Sequence, residues 1–178
     1  MKKTLSPLKF VASLLLISLV LSSCGGKKMS RGLIQVSNCP AVGVIDHLNT
    51  ITRFNGQGQT NADVVFDANI TNLESNCSEG SSVSTEISFS IRAKKGVAFD
   101  GQSHVLSYYV VVLRDNHMIT HKKVYTTRIN FKPGSDTAGV HETLVQTFND
   151  FEEPRRYDYE VLIGFEVTAE ELRFNVVR

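Results

Sequence analysis

Every second residue from Val83 to Ala93 suits a protein interior: Val83, Thr85, Ile87, Phe89, Ile91 and Ala93 alternate with Ser84, Glu86, Ser88, Ser90 and Arg92. Side chains of a β-strand point alternately to its two faces, so this segment offers one face to a core and the other to water. The pattern recurs. Val64, Phe66, Ala68 and Ile70 repeat it, as do Tyr125, Thr127, Ile129 and Phe131, and then Tyr159, Val161, Ile163, Phe165 and Val167. From Leu33 onward there is almost no helical period, so the apolar residues share a face only if the chain is extended.

Between these runs lie turn formers: Asn55-Gly56-Gln57-Gly58, Glu79-Gly80-Ser81, Lys95-Gly96, Asp100-Gly101, Asp115-Asn116 and Lys132-Pro133-Gly134. Asp115-Asn116 fits a tight hairpin. Val105 to Leu113 is nearly continuous in apolar and aromatic residues, which fits a central strand covered on both faces or an outer face that meets a partner. With weaker strands near Val42 to Leu48 and Val140 to Phe148, seven or eight strands are expected. Strands of this length and spacing predict an all-β fold, an antiparallel β-sandwich of immunoglobulin or fibronectin type. A closed eight-stranded barrel is the alternative. Tyr159 stands where such sandwiches carry a tyrosine corner, although the chain has no Trp for the usual core position. Thr168 and Glu171 have capping-box spacing and predict one or two helical turns at the end.

The N-terminus follows other rules. Lys2, Lys3 and Lys9 precede a twelve-residue apolar run, Phe10 to Leu21, broken only by two serines. Twelve helical residues reach about 18 Å, short of a hydrocarbon core of about 30 Å. A basic leader and a short apolar stretch have the form of an export signal. Leu21-Ser22-Ser23-Cys24 then resembles the lipobox of bacterial lipoproteins. That resemblance implies cleavage before Cys24 and attachment of acyl chains, palmitate among them, to this residue. Residues 1–23 are therefore expected to be a cleaved signal peptide, 24–32 a lipidated cysteine and flexible tether, and 33–178 one β-sandwich domain. Removing 23 of 178 residues leaves 155, and three of the 19 Lys and Arg but none of the 18 acids go with them, for a mature charge of −2. With no polybasic segment left, the acyl chains would have to hold the protein on the membrane.

Of three cysteines, Cys24 is assigned to the lipid, which leaves Cys39 and Cys77. An even remainder in an exported domain predicts a disulfide, against the alternative of two buried thiols. Their wide separation, with no histidine nearby at ligand spacing, gives no metal site.

Cys39-Pro40-Ala41-Val42-Gly43-Val44, Thr52-Arg53-Phe54, Cys77 and the ending Tyr159-Glu160-Val161-Leu162-Ile163-Gly164-Phe165 with Thr168 and Glu171-Leu172 are similar to a group of uncharacterised alphaproteobacterial lipoproteins. The resemblance covers most of the mature chain. It implies a small all-β domain on a lipid anchor and assigns no activity. Gly25, directly after the lipidated cysteine, is not the aspartate that retains lipoproteins in the inner membrane of enteric bacteria. By that resemblance the protein is expected at the outer membrane, facing the periplasm.

Five histidines are the first place to seek catalysis. His117 and His121 are expected along one face of a hairpin strand, His47 in a strand beside Asp46, and His104 and His141 alone near turns. No serine lies in a nucleophile elbow, and Gly56-Gln57-Gly58 lacks the helix a phosphate loop needs. No catalytic constellation results. The expectation is a non-catalytic interaction or structural module of the cell envelope, without a cofactor beyond the lipid on Cys24. Its partners would be the membrane, through that lipid, and another envelope protein; no basic surface suggests nucleic acid. Tyr108 and Tyr109 are the expected interaction patch, since tyrosine is enriched at interfaces. The alternative is a carrier that holds a lipid or small apolar ligand in a cavity inside the β-fold.

Overall fold

A computed structural model of the chain describes residues 39–56, 59–101, 103–148 and 159–177. The lipobox residues Leu21, Ser22, Ser23 and Cys24, and the tether that follows, lie outside the described residues, as do Arg155, Arg156 and Tyr157.

Among the described residues eight strands form: β1 (Ala41–Val44), β2 (Thr50–Phe54), β3 (Val64–Glu79), β4 (Val83–Lys95), β5 (His104–Arg114), β6 (Met118–Ile129), β7 (Thr137–Phe148) and β8 (Tyr159–Phe165), followed by helix α1 (Ala169–Val177). They make two four-stranded sheets, the first in the order β1-β8-β5-β6 and the second in the order β2-β3-β4-β7. All pairings are antiparallel except β1 with β8. The expected all-β sandwich is the fold. Its connectivity departs from an immunoglobulin domain, in which the last two strands lie side by side. Here β7 pairs with β4, whereas β8 pairs with β5 in the other sheet.

The inward rows are those that the alternation marks. Phe66, Phe89, Phe165 and Tyr108 are the largest fully buried side chains, packed with Ile51, Ile87, Ile91, Leu106, Ile129, Val161 and Ile163. Burying each phenylalanine contributes on the order of 1.5–3 kcal/mol. Phe131 packs edge-on to Phe99 with ring centres 4.9 Å apart, closing one end of the core.

Three local departures shape the strands. The segment expected as one strand near Val42 to Leu48 ends at Val44, and His47, expected in a strand, adopts φ 58 in a turn that carries the chain from the first sheet to β2 in the second. β5 and β6 are joined through Asp115, Asn116 and His117, with the first two left-handed at φ 56 and 58, so His117 sits in the turn and off the strand. In β3, Asn72 and Leu73 stand together opposite the single residue Phe89, a bulge in which Asn72 has φ 52. Beyond it the facing residues are Ser75 with Ile87 and Cys77 with Thr85, so Cys77 now shares the inward face of β4's apolar row. Cys77 is joined there to Cys39, with sulfurs 2.02 Å and Cα atoms 6.0 Å apart. The bridge ties the approach to β1 in the first sheet to β3 in the second.

The helix begins at the expected cap. The Thr168 N–H donates to Glu171 Oε2 at 2.8 Å, and the Glu171 N–H donates to Thr168 Oγ1 at 3.2 Å. At nine residues, α1 exceeds two turns, because it has a surface to pack on. Phe174 meets Phe54 edge-on at 5.0 Å, and Asn175 Nδ2 donates to the carbonyls of His47 and Thr50 at 2.8 and 2.7 Å. The Arg53 guanidinium donates to the buried Glu171 carboxylate. Strand β2 ends the second sheet, and α1 covers its outer edge.

Candidate functional site

Strand β5 runs between β6 and β8, and its alternation gives the two tyrosines opposite fates. Tyr108 lies in the inward row with Leu106, Val110 and Val112 and is 1% exposed. Its ring stacks on Tyr125 with centroids 5.4 Å apart, and meets Phe89 edge-on at 5.4 Å. Its hydroxyl donates to Glu142 Oε2 at 3.1 Å. Burial, then the Glu142 charge and this hydrogen bond, hold the Tyr108 hydroxyl protonated well above the ordinary tyrosine range. The expected Tyr108–Tyr109 patch is therefore corrected: consecutive residues of a strand cannot share a face, and Tyr108 belongs to the core.

Tyr109 faces out and is half-buried. It stands in register between Val124 of β6 and Gly164 of β8. A Cβ at Gly164 would press on Leu48 Cβ at 3.0 Å and lie in contact with the Tyr109 hydroxyl at 3.4 Å, so the glycine gives room where the tyrosine crosses the sheet. Lys122 Nζ lies 4.6 Å from the centre of the Tyr109 ring, within cation–π range. Burial, and then the Glu166 carboxylate, raise the Tyr109 pKa above its ordinary value of 10.0.

Around Tyr109 the outer face of the first sheet is apolar. Val105 is 50% exposed, Val124 47% and Ile119 60%; Leu113 and Leu162 continue the same face, and Val111 between them is covered. Charges of both signs flank it, with Lys122 and Arg128 on the β6 side and Glu160 and Glu166 on the β8 side. The outer face of the second sheet is built differently. Its central positions are Asn69, Thr71, Ser88, Ser90, Arg92 and Lys94, and the neighbouring β7 adds Thr143 and a single exposed apolar residue, Val145. A sandwich that meets water on both sides needs two faces of this second kind. Only one has it.

Ile119 and Val124 are the members of this surface that sequence reasoning missed. Counting antiparallel pairs back from a two-residue Asp115-Asn116 turn would set Lys122 beside Tyr109; the three-residue turn and a bulge at Thr120 shift the register by two and bring Val124 there. Among the histidines, His104 Nε2 lies 3.0 Å from Asp100 Oδ1 and its ring packs on Phe66 at 4.7 Å, while His47 lies beside Asp46. His117 and His121 are exposed on separate elements, the turn and β6. Comparison of the chain with protein-family models, with curated proteins and with solved structures finds no match.

Proposed function

We propose that this chain is a lipoprotein of a bacterial cell envelope, tethered through acyl chains on Cys24, that works as a non-catalytic interaction module. It presents the outer face of its first sheet to another envelope protein. The observation that carries the reading is the inequality of the two outer faces: Val105, Tyr109, Ile119 and Val124 on one, polar residues throughout the centre of the other. Tyrosine at the centre, apolar neighbours and a rim of both charges are the make-up of a protein interface. An anionic bilayer would favour a rim of one sign, and Glu160 and Glu166 argue against it.

The Leu21-Ser22-Ser23-Cys24 lipobox and the Gly25 that follows support the tether and an address at the periplasmic side of the outer membrane. The Cys39–Cys77 bridge suits an oxidising compartment. The carrier alternative needs an internal cavity, and Phe66, Phe89, Phe165 and Tyr108 occupy the space between the sheets.

Two experiments test the reading. Labelling cells with radioactive palmitate should mark the wild-type protein and leave Cys24→Ser unlabelled; equal labelling would remove the anchor from the account. In-cell crosslinking followed by affinity capture should retrieve one envelope protein with the wild type and lose it with Val124→Lys or Ile119→Lys. Both sites are surface positions, where substitution changes stability by only about 0.5 kcal/mol. A partner retained by both variants would place the interface elsewhere.

A further inference from the structure

The polar outer face of the second sheet carries a depression of about 680 Å³, within the size range of small-molecule sites. Its floor follows three cross-strand rows: Asn69, Arg92 and Gly139; Ser90 and His141; Lys94 and Thr137. Asn130 and Lys132 rise at its rim. They flank Phe131, whose ring is fixed against Phe99 in the core, so the loop that bears them is anchored. Among the described residues lining the depression there are three cations, Arg92, Lys94 and Lys132, and no carboxylate. Asp67 stands in register with Lys94 and accepts the Thr52 hydroxyl at 2.7 Å. Arg92 is flanked in register by Asn69 and Gly139, neither of them acidic.

Gly139 is a second and independent sign. It lies inside a twelve-residue strand, without a left-handed backbone. A Cβ there would meet only the Ile91 carbonyl oxygen, at an ordinary 3.4 Å. Neither conformation nor packing requires a glycine, and such a residue within a strand often marks a place where a ligand comes close to the backbone. Here it leaves the floor open beside the Arg92 guanidinium.

We propose that this depression binds a small anionic ligand rich in hydroxyl groups, of the phosphorylated sugar or polyol class. Arg92, with Lys94 and Lys132 around it, would take the phosphate, since guanidinium offers paired donors to phosphate oxygens. Asn69, Ser90, Asn130 and Thr137 offer the neutral donors and acceptors that hydroxyl groups require. The site is distinct from the first-sheet surface and stands whether or not that surface binds a protein.

Isothermal titration of the detergent-solubilised full-length protein at low salt, with glucose 6-phosphate, glycerol 1-phosphate and glucose, tests it. At least one phosphorylated probe should bind about tenfold or more tightly than glucose, and Arg92→Ala should weaken that binding at least about tenfold. Gly139→Val should weaken it similarly by filling the floor while every cation remains, with the thermal midpoint preserved or raised. Lys123→Ala, a cation on the other sheet, should bind as wild type. A preference for glucose 6-phosphate would indicate a glycan as the source, and a preference for glycerol 1-phosphate a lipid headgroup. The proposal is overturned if neither phosphorylated probe binds, if glucose binds equally well, if Arg92→Ala and Gly139→Val both retain wild-type affinity, or if Lys123→Ala loses it to the same extent.

Discussion

The Tyr108 hydroxyl reaches from the inner face of β5 to Glu142 Oε2 on β7, 3.1 Å away, and joins the two sheets by a hydrogen bond at the side where β6 and β7 end them. Tyr108→Phe keeps the ring stacked on Tyr125 and removes only this donor, at an expected cost of about 1 kcal/mol in denaturant unfolding. The same contact sets a pH dependence. Burial and the Glu142 carboxylate raise the hydroxyl above the ordinary value of 10.0. Its contribution is then complete below that value and is lost as pH rises through the higher value of the folded state. Stability should fall as pH rises above 10, and less steeply in Tyr108→Phe. Equal slopes for the two proteins would remove Tyr108 as the cause.

The Cys39–Cys77 bridge spans a sequence separation of 38 residues. Closing a loop of that length contributes about 4 kcal/mol in the chain-entropy model. The double variant Cys39→Ser/Cys77→Ser should unfold with a free energy lower by about this amount, and reductant should destabilise the wild type while leaving the variant unchanged.

Glu171 serves two elements at once, accepting from the Thr168 N–H at the helix cap and from the Arg53 guanidinium on β2. Glu171→Ala leaves Arg53 without this partner and the cap half made, and should cost about 2–4 kcal/mol by thermal or denaturant unfolding. Asn175→Ala acts on the same edge: it frees the His47 and Thr50 carbonyls of the strand edge. Concentration-dependent self-association, measured by sedimentation, should follow.

Much of this architecture is legible in the chain because alternation is a local signal. Val83 to Ala93 and Tyr159 to Phe165 declare their inner faces residue by residue, and Thr168 with Glu171 declares the helix start. What escapes are features set by one unusual backbone angle. The first expected strand ends early at Val44, and left-handed His47 turns the chain into β2 beyond it, which is too short to show a period of its own. Left-handed Asn72 shifts the parity of β3, so that the inner face of its second half is not the one its first half indicates. Strand order also escapes, since alternation says which face is buried and nothing about which strand lies beside it. The apolar outer face of the first sheet is half legible: Tyr109 carries a local signal, while Val124 becomes its neighbour only through pairing.

The most direct test of the account is site-specific photocrosslinking in living cells. A photoreactive residue would be placed at Val124 on the outer face of the first sheet and, in a second protein, at the exposed Glu86 on the outer face of the second. One discrete crosslinked species is expected from position 124, lost when Ile119→Lys is added, and none from position 86. The same species from position 86, or none from position 124 at comparable expression, would contradict the account.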